Sequence, residues 1–200
     1  MKRILRSFLL IFLLSFLLQV KSFAYSTDPE KFIGEIIEEA KLILNSSDSK
    51  EIKAEKLSII ALKTVDVNGI GYYTLGKKRK NIDPDQLGKY QELFEKYFLK
   101  SFTSRLTDYS DPKISVLSSE KVNEKYTIVK TMLLKTDKKP EVKIDWRVYT
   151  KDPNKPLIRD LIVEGLSLAR TQKEEFASIL NSNNNEIDAL FQKLEEFINK

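Results

Sequence analysis

Residues 141–149 read EVKIDWRVY, with Val142, Ile144, Trp146 and Val148 separated in turn by Lys143, Asp145 and Arg147. Apolar residues at every second position place one set of side chains on each face of an extended chain. The stretch therefore predicts a β-strand with one packed and one wet face. Turn residues bracket it, Asp137-Lys138-Lys139-Pro140 before and Asp152-Pro153-Asn154-Lys155-Pro156 after. Its neighbours alternate too. Upstream, Tyr126, Ile128, Lys130, Met132 and Leu134 interleave with Thr127, Val129, Thr131 and Leu133, apolar on both faces in the second half, as in a strand covered on both sides. Ile114 and Val116 predict a short strand before that, and residues 157–166 a fourth strand after.

Outside this meander the period changes to about 3.6. Asp28-Pro29 opens a helix, the carboxylate accepting from free first-turn amides and the proline sitting where no N–H is needed. Phe32, Ile33, Ile36, Ile37, Ala40, Ile43 and Leu44 carry that helix to about Asn45. A second starts near Ser49 with Ile52, Leu57, Ile59, Ile60 and Val65 as its apolar positions, and a third at Asp66 runs to Gly76. Lys77-Lys78-Arg79-Lys80 follows, which reads either as cations at a helix C-terminus or as a dock for an acidic partner or lipid headgroup. Asp83-Pro84-Asp85-Gln86 is a capping box, and it starts the longest helix, striped by Leu87, Tyr90, Phe94, Tyr97, Phe98, Phe102, Leu106 and Tyr109. Two further helices end the chain, one with Phe176, Ile179 and Leu180, the other with Ile187, Leu190, Leu194, Phe197 and Ile198.

Helices, then about four antiparallel strands, then helices is an α+β order: a curved sheet with helices packed on one face. Such a layout encloses a cone-shaped apolar pocket, walled by Tyr73, Leu75, Phe94, Tyr97, Phe98 and Phe102 from the helices and Met132, Leu134, Ile144, Trp146, Val148 and Ile162 from the sheet. The same residues serve equally as filled core, since composition does not separate the two.

The first 24 residues place the chain. Lys2, Arg3 and Arg6 precede an uncharged, mostly apolar run at 7–18, and Ser22-Phe23-Ala24 is a small-x-small cleavage site. Twelve residues rise only ~18 Å as a helix at ~1.5 Å each, short of a bilayer core. Residues 1–24 thus read as a cleaved signal peptide, and 25–200 as one domain. The leader holds four cations and no acid, so Lys and Arg fall from 34 to 30 against 29 Asp and Glu when it is removed. The basic character of the whole chain is mostly the leader's, and nucleic-acid binding is not expected.

With no Cys and no His, the chain lacks the parts for Ser-His-Asp or Cys-His catalysis, for His- or Cys-ligated zinc and for a His-ligated haem. Carboxylate, Lys or Tyr chemistry remains open, but Glu38-Glu39, Glu120-Glu124 and Asp108-Asp111 read as solvated faces or turns. Gly69-x-Gly71 followed by Gly76 is no dinucleotide fingerprint. No enzyme activity and no cofactor are expected.

Residues 66–76 (DVNGIGYYTLG), the Pro84-x-Gln86 helix start and above all 160–168 (DLIVEGLSL), with Lys173 and Phe176 after them, resemble the MlaC family, also called toluene-tolerance proteins. The resemblance spans about 28–198, and Glu164-Gly165-Leu166-Ser167-Leu168 is its most specific piece. Two departures stand out: the basic run replaces a Trp that many members carry after the Leu-Gly pair, and Lys173 replaces an Arg, losing its bidentate fork. The resemblance implies a monomeric periplasmic phospholipid carrier exchanging lipid between an outer-membrane lipoprotein complex and an inner-membrane ABC transporter with a lipid-binding ring subunit, in maintenance of outer-membrane lipid asymmetry. The competing reading is a ligand-free periplasmic adaptor of an ABC transport system, with the pocket residues as ordinary core.

Overall fold

A computed structural model describes residues 24–109, 111–135 and 140–200. The expected leader at 1–24, but for Ala24, and residues 137–139 of the expected turn lie outside the described residues. Helix starts follow their capping residues. Asp28 accepts from Lys31 N to open α1 (Pro29–Leu44), Ser49 from Ile52 N to open α2 (Lys50–Thr64), and Asp66 from Gly69 N to open α3 (Val67–Thr74). A 3-10 turn (Lys78–Lys80) leads to α4 (Pro84–Leu106), where Asp83 accepts from both Asp85 N and Gln86 N.

Five strands follow in the order β1-β2-β3-β4-β5, each antiparallel to the next: β1 (Ile114–Asn123), β2 (Tyr126–Leu133), β3 (Val142–Tyr149), β4 (Leu157–Val163) and β5 (Leu166–Ser167). Helices α5 (Leu168–Ser182) and α6 (Ile187–Ile198) close the chain. The fold is α+β with an open sheet.

Three details differ from the sequence reading. Strand β1 is ten residues long rather than short. Its outer half, Ser118 to Asn123, is exposed and, but for Val122, polar, so pairing with β2 extends it with no apolar alternation to signal the extension. The expected fourth strand is cut by Glu164 and Gly165, both at positive φ (49° and 83°), a conformation suited to a tight hairpin that turns the chain into β5. On α2, Ile52 and Ile59 are 44% and 49% exposed while Leu57, Ile60 and Ala61 are buried, so two of the expected core positions face outward.

The DLIVEGLSL stretch is a clamp. Ser167 Oγ donates to Asp160 Oδ2 (2.6 Å), Ala169 N donates to Asp160 Oδ1 (3.0 Å), and Ser167 Oγ accepts from Arg170 N as the cap of α5. One buried carboxylate thereby joins β4 to the start of α5. Burying it is tolerable because both oxygens are hydrogen-bonded and Arg147 Nη1 lies 3.7 Å away.

Two apolar cores result. One gathers α3, α4, α5 and α6 around Leu75, Tyr90, Phe94, Phe176, Leu190 and Leu194. The other packs Phe32, Ile33, Ile36 and Ile37 of α1, with Ile60 of α2, against Val129, Val148 and Ile158 of the sheet. Val65 packs against both, at the point where it bridges to Ile158.

Candidate functional site

The aromatic stripe of α4 forms a ladder along the helix. Phe94, Phe98 and Phe102 stack in sequence, with ring centroids 6.2 and 5.8 Å apart. Spacing of four residues makes this inevitable on one helix face. Phe176 from α5 stands edge-on to Tyr90 and Phe94 and lies 5.9 Å from Tyr97, and Phe197 lies 4.9 Å from Tyr97. Residues on two other helices thus complete the aromatic group. The 3.6 period placed Phe176 and Phe197 on inward faces, but nothing local tied them to α4.

Polar atoms in this group are satisfied. Tyr90 hydroxyl donates to Gly71 O (3.2 Å) and accepts from Thr74 Oγ1 (2.8 Å), whose one proton is shared with Gly71 O, also 2.8 Å away. Burial pushes the Tyr90 phenol above its ordinary pKa, against the lowering effect of the Thr74 bond. Tyr97 hydroxyl donates to Gln172 Oε1 (2.7 Å); burial raises its pKa, and the Glu175 charge acts the same way. Helices α3 and α4 approach so closely that a Cβ at Gly71 would lie 2.7 Å from the Phe94 ring.

The sheet candidates separate by register. In antiparallel pairs, residues directly opposite share a face. Val129 pairs with Trp146, Thr131 with Ile144 and Thr127 with Val148, so Ile144, Trp146 and Val148 occupy the face packed by α1. Met132 pairs with Lys143, and Ile162 with Asp145, which puts both on the other face. Leu134 lies just past the end of β2 and is exposed. The six do not form one wall.

Thr131, fully buried, holds Trp146 in place. Its Oγ1 accepts from Trp146 Nε1 (3.0 Å) and donates to Ile144 O (2.9 Å). A second polar tie joins the cores: Arg159, at the register shift of β4, donates from Nε and Nη2 to Asp66 Oδ2 (2.7 and 2.6 Å) and from Nη1 to Tyr126 hydroxyl (3.2 Å). Its guanidinium also lies 3.7 Å from the Tyr149 ring centroid. Neither tie was signalled by the sequence, because each partner is an ordinary residue until the register is known.

Of the helical candidates, Leu75 and Phe94 are buried, Tyr97, Phe98 and Phe102 are half-buried, and Tyr73 is exposed. Two clefts open at the surface. One, of about 320 Å³, lies among Leu62, Val65, Asp66, Glu95 and Leu157; the other, of about 430 Å³, lies between α1 and α2 among Leu42, Ile43, Ile59 and Ile60. None of the twelve candidates lines either cleft.

The family model described as MlaC protein matches residues 34–196. The chain belongs to the MlaC family. Among solved structures, this MlaC-family chain is similar to the phospholipid-binding protein from Ralstonia solanacearum in complex with a phospholipid, at 17% identity and a TM-score of 0.70. The match covers 83% of this chain and 94% of the other. At that identity the likeness is one of fold. A comparison with curated proteins gives no match.

Proposed function

We propose that this MlaC-family chain is a phospholipid carrier of the periplasm, holding acyl chains in an apolar pocket and moving lipid between outer and inner membrane. The observation that carries the reading is the shared fold with a protein whose structure holds a phospholipid, within a family match that spans most of the chain. The half-buried apolar residues supply a suitable surface: Tyr97, Phe98 and Phe102 on the helical side, Ile144 and Trp146 on the α1 face of the sheet. The physics requires enclosure. At ~0.8 kcal/mol per buried CH₂, about thirty methylenes carry on the order of 20 kcal/mol of transfer penalty, so tails cannot cross water exposed.

Because apolar burial is non-directional, such a site tolerates varied headgroups and needs no catalytic residue. A leader-directed export to the periplasm, an outer-membrane lipoprotein donor and an inner-membrane ABC transporter acceptor complete the proposal.

Native mass spectrometry of the protein expressed with its own leader, followed by lipid extraction, is the test. The expected species begins at Tyr25 and carries one or more diacyl phospholipids. Phe98→Asp is expected to abolish that excess mass while the thermal melt persists. A lipid-free mass that survives incubation with phospholipid vesicles would overturn the carrier reading in favour of the adaptor.

A further inference from the structure

Tyr72 and Tyr73, near the end of α3, are 44% and 37% exposed, and each has a cation against its ring. The Arg79 guanidinium lies 5.2 Å from the Tyr72 centroid, and Lys173 Nζ, from α5, lies 5.1 Å from that of Tyr73. Arg79 belongs to the run Lys77-Lys78-Arg79-Lys80, which the 3-10 turn folds back beside α3. Two cations thus lie against two exposed aromatic rings, and Lys77, Lys78 and Lys80 adjoin one of them in the chain, making a group of five.

Among the described residues none of the five forms a salt bridge. Lys78 Nζ donates to the backbone carbonyl of Asn185 (2.8 Å), and Lys77 and Lys80 are exposed. Glu174 and Glu175 follow Lys173 in sequence, yet neither pairs with it. The chain beyond residue 24 carries 29 carboxylates against 30 cations, so acids are plentiful, yet among the described residues none is within salt-bridge distance of this group. The dipole of a helix attracts cations within its last turn, but α3 ends at Thr74 with no basic residue there, so it does not explain Lys77 or Lys78. Nor does it account for Lys173, which arrives from another helix, or for the paired tyrosines.

We propose that this face docks on the surface of an anionic lipid bilayer. Lysine and arginine gain from a negative headgroup layer, while tyrosine rings sit at the boundary between headgroup and acyl chain with the hydroxyl in water. Lysine and arginine side chains laid along the rings keep their charges at headgroup level. A charged, aromatic patch suits a fluid surface, and neither cleft described above, of the kind a folded protein partner would fill, is lined by these residues. The inference stands apart from the carrier reading, since it concerns the outer surface and holds whether or not an acyl chain enters the fold.

Vesicle flotation tests it, using the purified protein with its N-terminus established by intact mass. Vesicles are phosphatidylglycerol mixed equally with phosphatidylcholine, or phosphatidylcholine alone, at low and high salt. The wild type is expected to float with the anionic vesicles at low salt only. Each exposed lysine is worth about fivefold in partitioning, so Lys77→Gln with Lys80→Gln lowers it about 25-fold. Neither side chain has a partner among the described residues, so the thermal melt is expected to stay where it was. Lys121→Gln with Lys125→Gln, two exposed lysines of the β1–β2 hairpin, is expected to cost little. Equal flotation with neutral vesicles, or equal losses from the two double variants, would overturn the proposal. So would absent flotation, and if Lys77→Gln with Lys80→Gln then weakened binding to polyglutamate, the face would be assigned to an acidic protein. Lipid extraction from the same samples keeps the two readings separate, because the docking variants are expected to retain any bound phospholipid.

Discussion

Two glycines on two helices should respond to the same substitution with opposite signs. A Cβ on Gly71 would stand 2.7 Å from Phe94 Cδ1 and 3.2 Å from its Cγ. Phe94 has no room to retreat, being 2% exposed and packed against Tyr90, Tyr97, Phe98 and Phe176. Nor is the Gly71 backbone free to shift, because its carbonyl accepts from both Thr74 and Tyr90. Overpacking of this kind costs about 1–3 kcal/mol, and the better helix propensity of alanine returns about 1 kcal/mol. With both neighbours fixed, the net loss for Gly71→Ala should be about 1–2 kcal/mol.

Gly88, exposed in the second turn of α4, has no atom within 4 Å of the position its Cβ would take. Only the propensity gain remains there, so Gly88→Ala should stabilise by up to about 1 kcal/mol. For a chain of this length the pair should bracket the wild-type Tm, about 2–8 °C below for Gly71→Ala and about 2–4 °C above for Gly88→Ala. Thermal and urea melts followed by circular dichroism and by Trp146, the sole tryptophan, measure both. A Gly71→Ala protein at least as stable as the wild type would refute the close approach of α3 and α4.

Thr131→Val keeps the side-chain shape but strips the acceptor from Trp146 Nε1 and the donor to Ile144 O; a loss of about 1–3 kcal/mol is expected, with increased acrylamide quenching of Trp146. An unchanged urea midpoint would show that the bond does not hold the ring. Alkaline stability should depend on Tyr90. Its folded pKa is raised above the ordinary 10.0, so its contribution is fully present below pH 10 and is lost as pH rises beyond that, where the unfolded chain ionises first. Urea melts at pH 8 and pH 11 should therefore converge for Tyr90→Phe relative to the wild type; an equal fall in both proteins would remove Tyr90 from the account.

Much of the α+β order was legible along the chain because its signals are local. Asp28-Pro29 and Asp83-Pro84 start helices through bonds that close within three residues, and the β3 alternation needs only the pleat. The motif at 160–168 pointed to the MlaC family, and the match over 34–196 bears that out. Its chemistry proved structural, a buried Asp160 tied to Ser167 and Ala169 across a left-handed turn. The polar half of β1 and the outward side of α2 were not legible, since partner strands and neighbouring helices settle them.

The composition of the candidate wall was written in the sequence; its arrangement was not. Met132 and Ile162 are as apolar as Ile144 and Trp146, yet a strand has two faces, and which residues share one depends on pairing partners that lie 11 to 19 positions away. The meeting of Gly71 with Phe94, of Thr131 with Trp146 and of Arg159 with Asp66 likewise joins residues with no local signal of each other. Periodicity reports that a side chain is turned inward. Only the packed chain specifies what it meets there, because close packing is a property of pairs brought together from distant parts of the sequence.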